Sequence, residues 1–181
     1  MSVSPTVSDA IRLKRAVRKF TSEPLPEATI LAILNAGRRA QSSKNTQPWH
    51  FIAITDKPIL QQLSTCGEMG GVGKNNAWHL AGAALGVALL HPDPVEKFQT
   101  MFDVGQAAAY MQLAAWELGV GSCLASIYET DHARQILGFP AELHLRIAIS
   151  FGCPADEEKL IAAPHKGGRK QLEEMLHWNY W

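Results

Sequence analysis

Five basic side chains, Arg12, Lys14, Arg15, Arg18 and Lys19, fall within eight positions near the N-terminus, and Lys166, Arg169 and Lys170 fall within five near the C-terminus. Cations gathered in this way beside loop amides suit a phosphate monoester, whose two negative charges call for several charge-assisted donors. Two polar loops, QSSKN at 41–45 and GKNN at 73–76, are candidates for the rest of such a site. Phosphate-bearing cofactors of the cytosol include FMN and pyridoxal phosphate. The second needs a Schiff-base lysine with supporting residues, and nothing in the chain singles one out. The competing reading of both clusters is a pair of solvated charged faces.

Other chemistries find less support. The seven histidines, at 50, 79, 91, 132, 144, 165 and 177, are scattered, with no HExxH and no pair three or four apart on one helix, so no metal site is expected. Cys66, Cys123 and Cys153 are odd in number and lack CxxC spacing, which argues against a disulfide framework and a thiolate zinc site. No GxSxG is present. The stretch GGVGK at 70–74 invites a phosphate-loop reading but fails it: Glu68 stands where the first glycine belongs, and Asn75 follows the lysine in place of Ser or Thr.

Composition sets the outer bounds. A chain of 181 residues, 46% apolar and 19% charged, predicts one globular domain spanning 1–181. The longest uncharged apolar stretch, 80–90, is too short to cross a bilayer, and MSVSPTVSDA has no signal-peptide pattern, so a soluble cytoplasmic protein is the expectation. Net charge is zero, with 17 basic against 17 acidic residues, which argues against nucleic acid as the main partner. The balance is uneven along the chain, however: residues 1–50 hold eight basic and three acidic side chains.

The elements that must position these residues follow from periodicity. SDAIRLKRAVRKF, 8–20, reads as a short helix capped by Ser8 and Asp9. Pro26 and Glu27 start a second helix with an apolar stripe of Ile30, Leu31, Ile33 and Leu34. HFIAIT at 50–55 reads as a buried strand, Asp56 to about Leu63 as a short helix, and AALGVALL at 83–90 as a second buried strand. Residues 95–118 form the longest helical candidate; it is apolar on most sides and so predicted to be buried, partly against a second subunit. SCLASI at 122–127 is a short strand, Thr130 caps a helix ending at Leu137, and LHLRIAISF alternates as a strand with Leu143, Leu145, Ile147, Ile149 and Phe151 on one face. A short helix at 171–177 and an aromatic tail close the chain. Helices and strands are interspersed without strict alternation, so the expected class is α+β with a mixed sheet of about four strands.

Several stretches taken together, KRAVRKF at 14–20, QSSKNTQPWHF at 41–51, NNAW at 75–78, DVGQAAAYMQLAAWELGVGS at 103–122 and the C-terminal GRKQLEEMLHWNYW, resemble the FMN-dependent nitroreductase family. The resemblance covers most of the chain in order. It implies a three-layer α+β fold, a homodimer with FMN at the interface, and the long helix at that interface. By the same resemblance Lys14, Arg15, Ala16 and Arg18 stand at the positions that hold the FMN phosphate and pyrimidine edge, with Ala16 where the family commonly has serine. Lys166 and Arg169 correspond to a C-terminal pair on the phosphate. Ser42, Ser43 and Asn45 match a loop reaching FMN from the other subunit, Asn75 an amide on the flavin, and Leu124, Ala125 and Ser126 the segment whose backbone amides meet flavin N5 and O4. Asp103 is read as a cap or ion-pair partner.

The activity implied is reduction of nitroaromatic, quinone or similar conjugated acceptors by NADH or NADPH in a ping-pong two-electron transfer, with flavin N5 and no catalytic side chain carrying the hydride. The alternatives are a flavin-binding or anion-binding homodimer without turnover, or a specialised relative catalysing flavin cleavage, dehalogenation or azoline oxidation.

Overall fold

A computed structural model describes residues 6–68, 74–93, 98–161 and 168–181. Its order is α1 (Val7–Leu13), α2 (Glu27–Arg38), β1 (His50–Ile54), α3 (Lys57–Ser64), β2 (Leu85–Pro92), α4 (Gln99–Glu117), β3 (Gly121–Ser126), α5 (Thr130–Leu137) and β4 (Leu143–Gly152). The strands form one sheet in the order β1-β2-β4-β3. All three ladders are antiparallel. The expected mixture of directions is confined, among the described residues, to an isolated parallel bridge between Ala16 and Ser122. β1 to β2 and β3 to β4 are connections between neighbours, whereas the link from β2 through α4 to β3 crosses past β4 and joins two strands that run in the same direction.

Two cores make the sheet the middle of three layers. On one face Ile33 of α2 and Val104, Ala107, Met111 and Ala115 of α4 pack on Leu85, Val87, Leu89, Ile149 and Phe151. On the other, Leu60 and Leu63 of α3 and Ala133 of α5 pack on Ile54, Ala88, Leu90, Leu145 and Ala148. The α2–α4 contact is close because position 37 is glycine: a Cβ there would run into the Met111 side chain.

Three differences from the sequence reading have local causes. Helix α1 stops at Leu13, and its cap is Thr6, whose side chain accepts the Asp9 N–H while the Asp9 carboxylate accepts the Thr6 N–H. Residues beyond Leu13 run extended because β3 offers them an edge: Val17 N–H donates to the Ser122 carbonyl at 3.0 Å, and Phe20 bridges to Pro154. Strand β4 does not keep its alternation, since the pairing with β2 slips between Leu89 and Leu90 and places Leu143 and Leu145 on the face opposite Ile149 and Phe151. Within the single chain, helix α4 is buried on one side, with Phe102, Gly105, Ala109 and Tyr110 exposed together with Met101 and Leu118, the part of its surface for which burial by a second subunit is expected. The helix expected at 171–177 reduces to a 3-10 turn at Leu172–Glu174, too short a segment to stay helical with no buried face.

Candidate functional site

Strand β3 is the last in the sheet, so its outer edge carries backbone groups that no further strand pairs. The extended segment after α1 covers the start of that edge. It comes close because residue 121 is glycine; a Cβ there would lie 2.8 Å from the Val17 side chain. With Val17 turned inward and buried, its neighbours Ala16 and Arg18 face out. Beyond Ser122 no further strand among the described residues covers the edge, and it forms one wall of a cavity of about 480 Å³, lined by Arg18, Lys74, Asn75, Asn76, Trp78, His79, Leu124 and Ser126.

Each wall is held by identifiable contacts. Asn75 donates to the Ser64 carbonyl at 2.8 Å and accepts the Ala77 N–H at 2.8 Å, so most of its amide is used in folding the wall back over Gly67, where any Cβ would strike the Ala77 nitrogen and the Asn75 side chain. His79 is buried, 2% exposed, with Nδ1 2.7 Å from Ser150 Oγ. Burial and then the Arg18 guanidinium push its imidazole below the ordinary range, against the backbone of Leu124 and Asn76, which hydrogen-bond to the ring. Behind the wall, Cys123 lies near both Arg18 and Lys14: burial raises its thiol, and the two cations oppose that rise. Lys14 is itself pushed down by desolvation and, less, by Arg18.

Leu124 occupies a junction. Its side chain is 46% exposed and also borders an apolar groove of about 180 Å³ along α4, formed with Met101, Val104, Gly105, Ala108 and Ile147 among others.

The cavity thus collects Arg18, Asn75, Leu124 and Ser126 of the expected site. Ala125 belongs to the same strand but is fully buried, with its side chain in the α3/α5 core. Arg15 turns back to close α1, donating to the carbonyls of Arg12 at 2.8 Å and Lys14 at 3.0 Å. Ala16 is spent on the bridge to Ser122. Ser42, Ser43 and Asn45 line no part of this cavity; they form a separate exposed loop with Lys44, Asn45 and Gln47 at φ of 51, 55 and 46°. That loop is tied by Ser42 Oγ, which accepts the Gln47 N–H at 2.9 Å, and by Asp103, which lies within α4 and, where a helix cap or ion-pair partner was expected, accepts the Ser43 N–H. Arg169 is exposed and outside the cavity lining, and Lys166 lies outside the described residues. Lys74 and Asn76 belong to the GKNN loop expected to contribute, whereas Trp78 and His79 are cavity residues to which sequence reasoning gave no role. Trp78 closes the NNAW motif, whereas His79 meets Ser150 across 71 positions, which no local signal announces.

The sequence profile of the Nitroreductase family matches residues 11–66 and 70–153. The chain belongs to the nitroreductase family. It is 27% identical over 160 residues to a provisionally named NADH dehydrogenase/NAD(P)H nitroreductase of Archaeoglobus fulgidus, spanning 84% of this chain and 88% of the relative. Among solved structures, an FMN-dependent nitroreductase from Clostridium difficile superposes with a TM-score of 0.78 at 25% identity, covering 95% of this chain and 98% of that one. The NADPH:FMN oxidoreductase from Vibrio harveyi, solved with NAD+, shares the fold with a TM-score of 0.81 at 20% identity, over 96% of this chain and 77% of that one. The nitroreductase match spans both the basic segment and the whole of β3, the two stretches that meet at the cavity.

Proposed function

We propose that this nitroreductase-family chain is an FMN-dependent oxidoreductase that takes electrons from NADH or NADPH and passes them, in a ping-pong sequence, to a nitroaromatic, quinone or similar conjugated acceptor. The observation that carries the reading is the uncovered edge of β3 at Leu124 and Ser126, facing a cavity with Arg18 and Lys74 on its other walls. FMN, when bound, supplies two-electron hydride chemistry that no side chain here could provide.

The residues present fit that group. Arg18 and Lys74 are fixed positive charges for the electron-rich rim of a reduced flavin, and edge-strand amides are donors that need no reorganisation. Lys14 adds a cation behind them, and the apolar groove on α4 suits the flat, carbon-rich side of a ring. We assign Lys14, Arg18 and the C-terminal Lys166 and Arg169 to the phosphate and pyrimidine edge, with Arg15 and Ala16 shaping the segment that presents them. Asn75, Leu124, Ala125 and Ser126 are assigned to the ring.

The proposed working unit is a homodimer. The exposed side of α4, with Phe98 and Phe102 67% and 70% exposed, supports burial against a second copy. The loop of Ser42, Ser43 and Asn45 is anchored to the same helix and is the piece such a copy would present to FMN on its partner. This reading also accounts for a loop that is held firmly yet takes no part in its own chain's cavity.

The test uses purified protein incubated with FMN and freed of excess ligand. A bound flavin spectrum that bleaches anaerobically on adding NADH or NADPH, and returns on adding a quinone, is the expected result. Absence of bound flavin refutes the proposal. Bound flavin that neither nicotinamide reduces favours a binding protein without turnover.

A further inference from the structure

We infer that Trp78 is a ligand-contact residue of the cavity, whose indole packs on the face of the flavin ring and favours its oxidised form. The identity of the ligand rests on the function proposed above, and the experiment below separates the two.

Burial singles out this side chain. In the turn at 77–80, Ala77, His79 and Leu80 are buried, whereas Trp78, the largest of the four, is 47% exposed. Hiding an alanine while leaving the neighbouring indole in solvent forgoes apolar burial that the fold could have used. The indole is nevertheless held in place. It meets the His79 ring edge-to-face, with centroids 5.8 Å apart and planes at 83°. The His79 Nδ1 in turn lies 2.7 Å from Ser150 Oγ, and Ser150 is fully buried on β4, an inner strand of the sheet. The exposed ring thus stands on a support that reaches the middle of the fold, so little ordering is left for a ligand to impose.

The chemistry of the cavity says what the ring would meet. Its volume suits a small molecule. Its lining is polar or charged except for Trp78 and Leu124. Cations and amides serve the rim of a planar heteroaromatic ligand, which leaves these two side chains for its flat faces. Leucine packs on any apolar face, but an indole discriminates. Its face carries the negative part of the aromatic quadrupole and gains more from an electron-poor ring than from an electron-rich one. Oxidised flavin is electron-poor, and the reduced anion is not. Arg18 and Lys74 favour the reduced ring by charge, and Trp78 opposes them.

FMN binding, bound-flavin emission and redox titration of the full chain test this in two variants. W78L keeps an apolar side chain without a π face, and W78F keeps a ring that is a poor electron donor. The dissociation constant of oxidised FMN should rise about ten-fold in W78L, as for loss of a stacked ring, and less than about three-fold in W78F. Reduced FMN should lose little affinity, so the midpoint potential of W78L rises by about 30 mV, the equivalent of ten-fold in a two-electron couple. Bound flavin should be dark in the unaltered protein, because an indole in contact gives an electron to the excited ring, and several-fold brighter in both variants. A merely structural role for Trp78 would move neither potential nor emission. W78L that matches the unaltered protein in affinity, potential and emission overturns the proposal, even if its KM for a quinone rises. Should W78L not fold, W78F decides: bound flavin as dark as in the unaltered protein overturns the contact. FMN bound with these signatures but reduced by neither nicotinamide refutes the turnover proposed above and supports the contact. No FMN bound by the unaltered protein refutes both.

Discussion

Both oxygens of the Asp103 carboxylate, on the buried side of α4, accept the backbone N–H of Ser43, at 3.2 and 3.1 Å and across sixty positions of sequence. This contact fixes the start of a loop that bends through three left-handed non-glycine residues. Such a conformation is costly and persists only where its surroundings hold it. Replacing Asp103 with Ala should release the loop, with a loss of about 1.5–3 kcal/mol from one charge-assisted hydrogen bond. In the proposed dimer this appears as weakened FMN binding, by about ten-fold or more. Calorimetric binding that matches the unaltered protein would show that the loop has no part in the site.

Arg18 and Arg15 should differ, although they are neighbours in one cluster. Arg18 lines the cavity, whereas the Arg15 guanidinium closes the end of α1. Arg18→Ala should raise the FMN dissociation constant at least ten-fold with little change in melting temperature. Arg15→Ala should act mainly through the placement of Lys14 and cost less binding. Equal losses in the two variants would contradict this division.

Gly121→Ala tests the approach of the basic segment to β3. The added Cβ would sit 2.8 Å from Val17, in a buried contact that neither backbone can easily relieve. The expected cost is about 1–3 kcal/mol in urea unfolding, with FMN binding lost in proportion as the segment is pushed off the edge. A variant as stable as the parent, and binding equally, would mean that the segment docks some other way.

Acid should destabilise the fold through two buried histidines. Burial, helped by Arg18 at His79 and by His144 and Arg146 at His91, holds both rings below the ordinary imidazole range. Below a pH of about 6.5 the unfolded chain takes up protons that the folded rings still refuse. Stability therefore falls as pH drops through that value, and continues to fall until the folded rings titrate; above it the rings contribute nothing to the pH dependence. Urea midpoints at pH 8, 6 and 5 should decline more steeply for the unaltered protein than for His79→Gln. Parallel curves would show that His79 is not held neutral.

The exposed pair Phe98 and Phe102, edge-to-face at 6.4 Å between ring centroids, should lie in the proposed dimer interface. Phe102→Asp should shift the sedimentation coefficient to that of a monomer. It should also lower FMN affinity, because half of each proposed site then goes missing. A dimer that survives this change uses a different face.

The sequence by itself determined the class of fold and supplied the residues from which the proposed site is drawn. Periodicity places β1, α2, α3, α5 and most of α4 close to their bounds, because each is a local amphipathic or buried pattern that the tertiary structure only had to accept. The basic cluster at 12–19 and the polar run at 73–76 pointed to a phosphate-bearing ligand, and the family resemblance added the flavin. Tertiary structure decided the rest. Residues 14–20 carry the composition of a helix, yet they are extended because β3 has a free edge and Gly121 leaves room for Val17. The alternation of β4 reads as one face until its slipped pairing with β2 splits it between two cores. His79 carries no local sign of its place in the cavity wall, since its partner Ser150 is brought to it by the folding of the sheet. Local pattern sets which residues prefer to be buried or extended. Only the assembled sheet determines which backbone edge is left uncovered, and that edge is what the proposed site is built on.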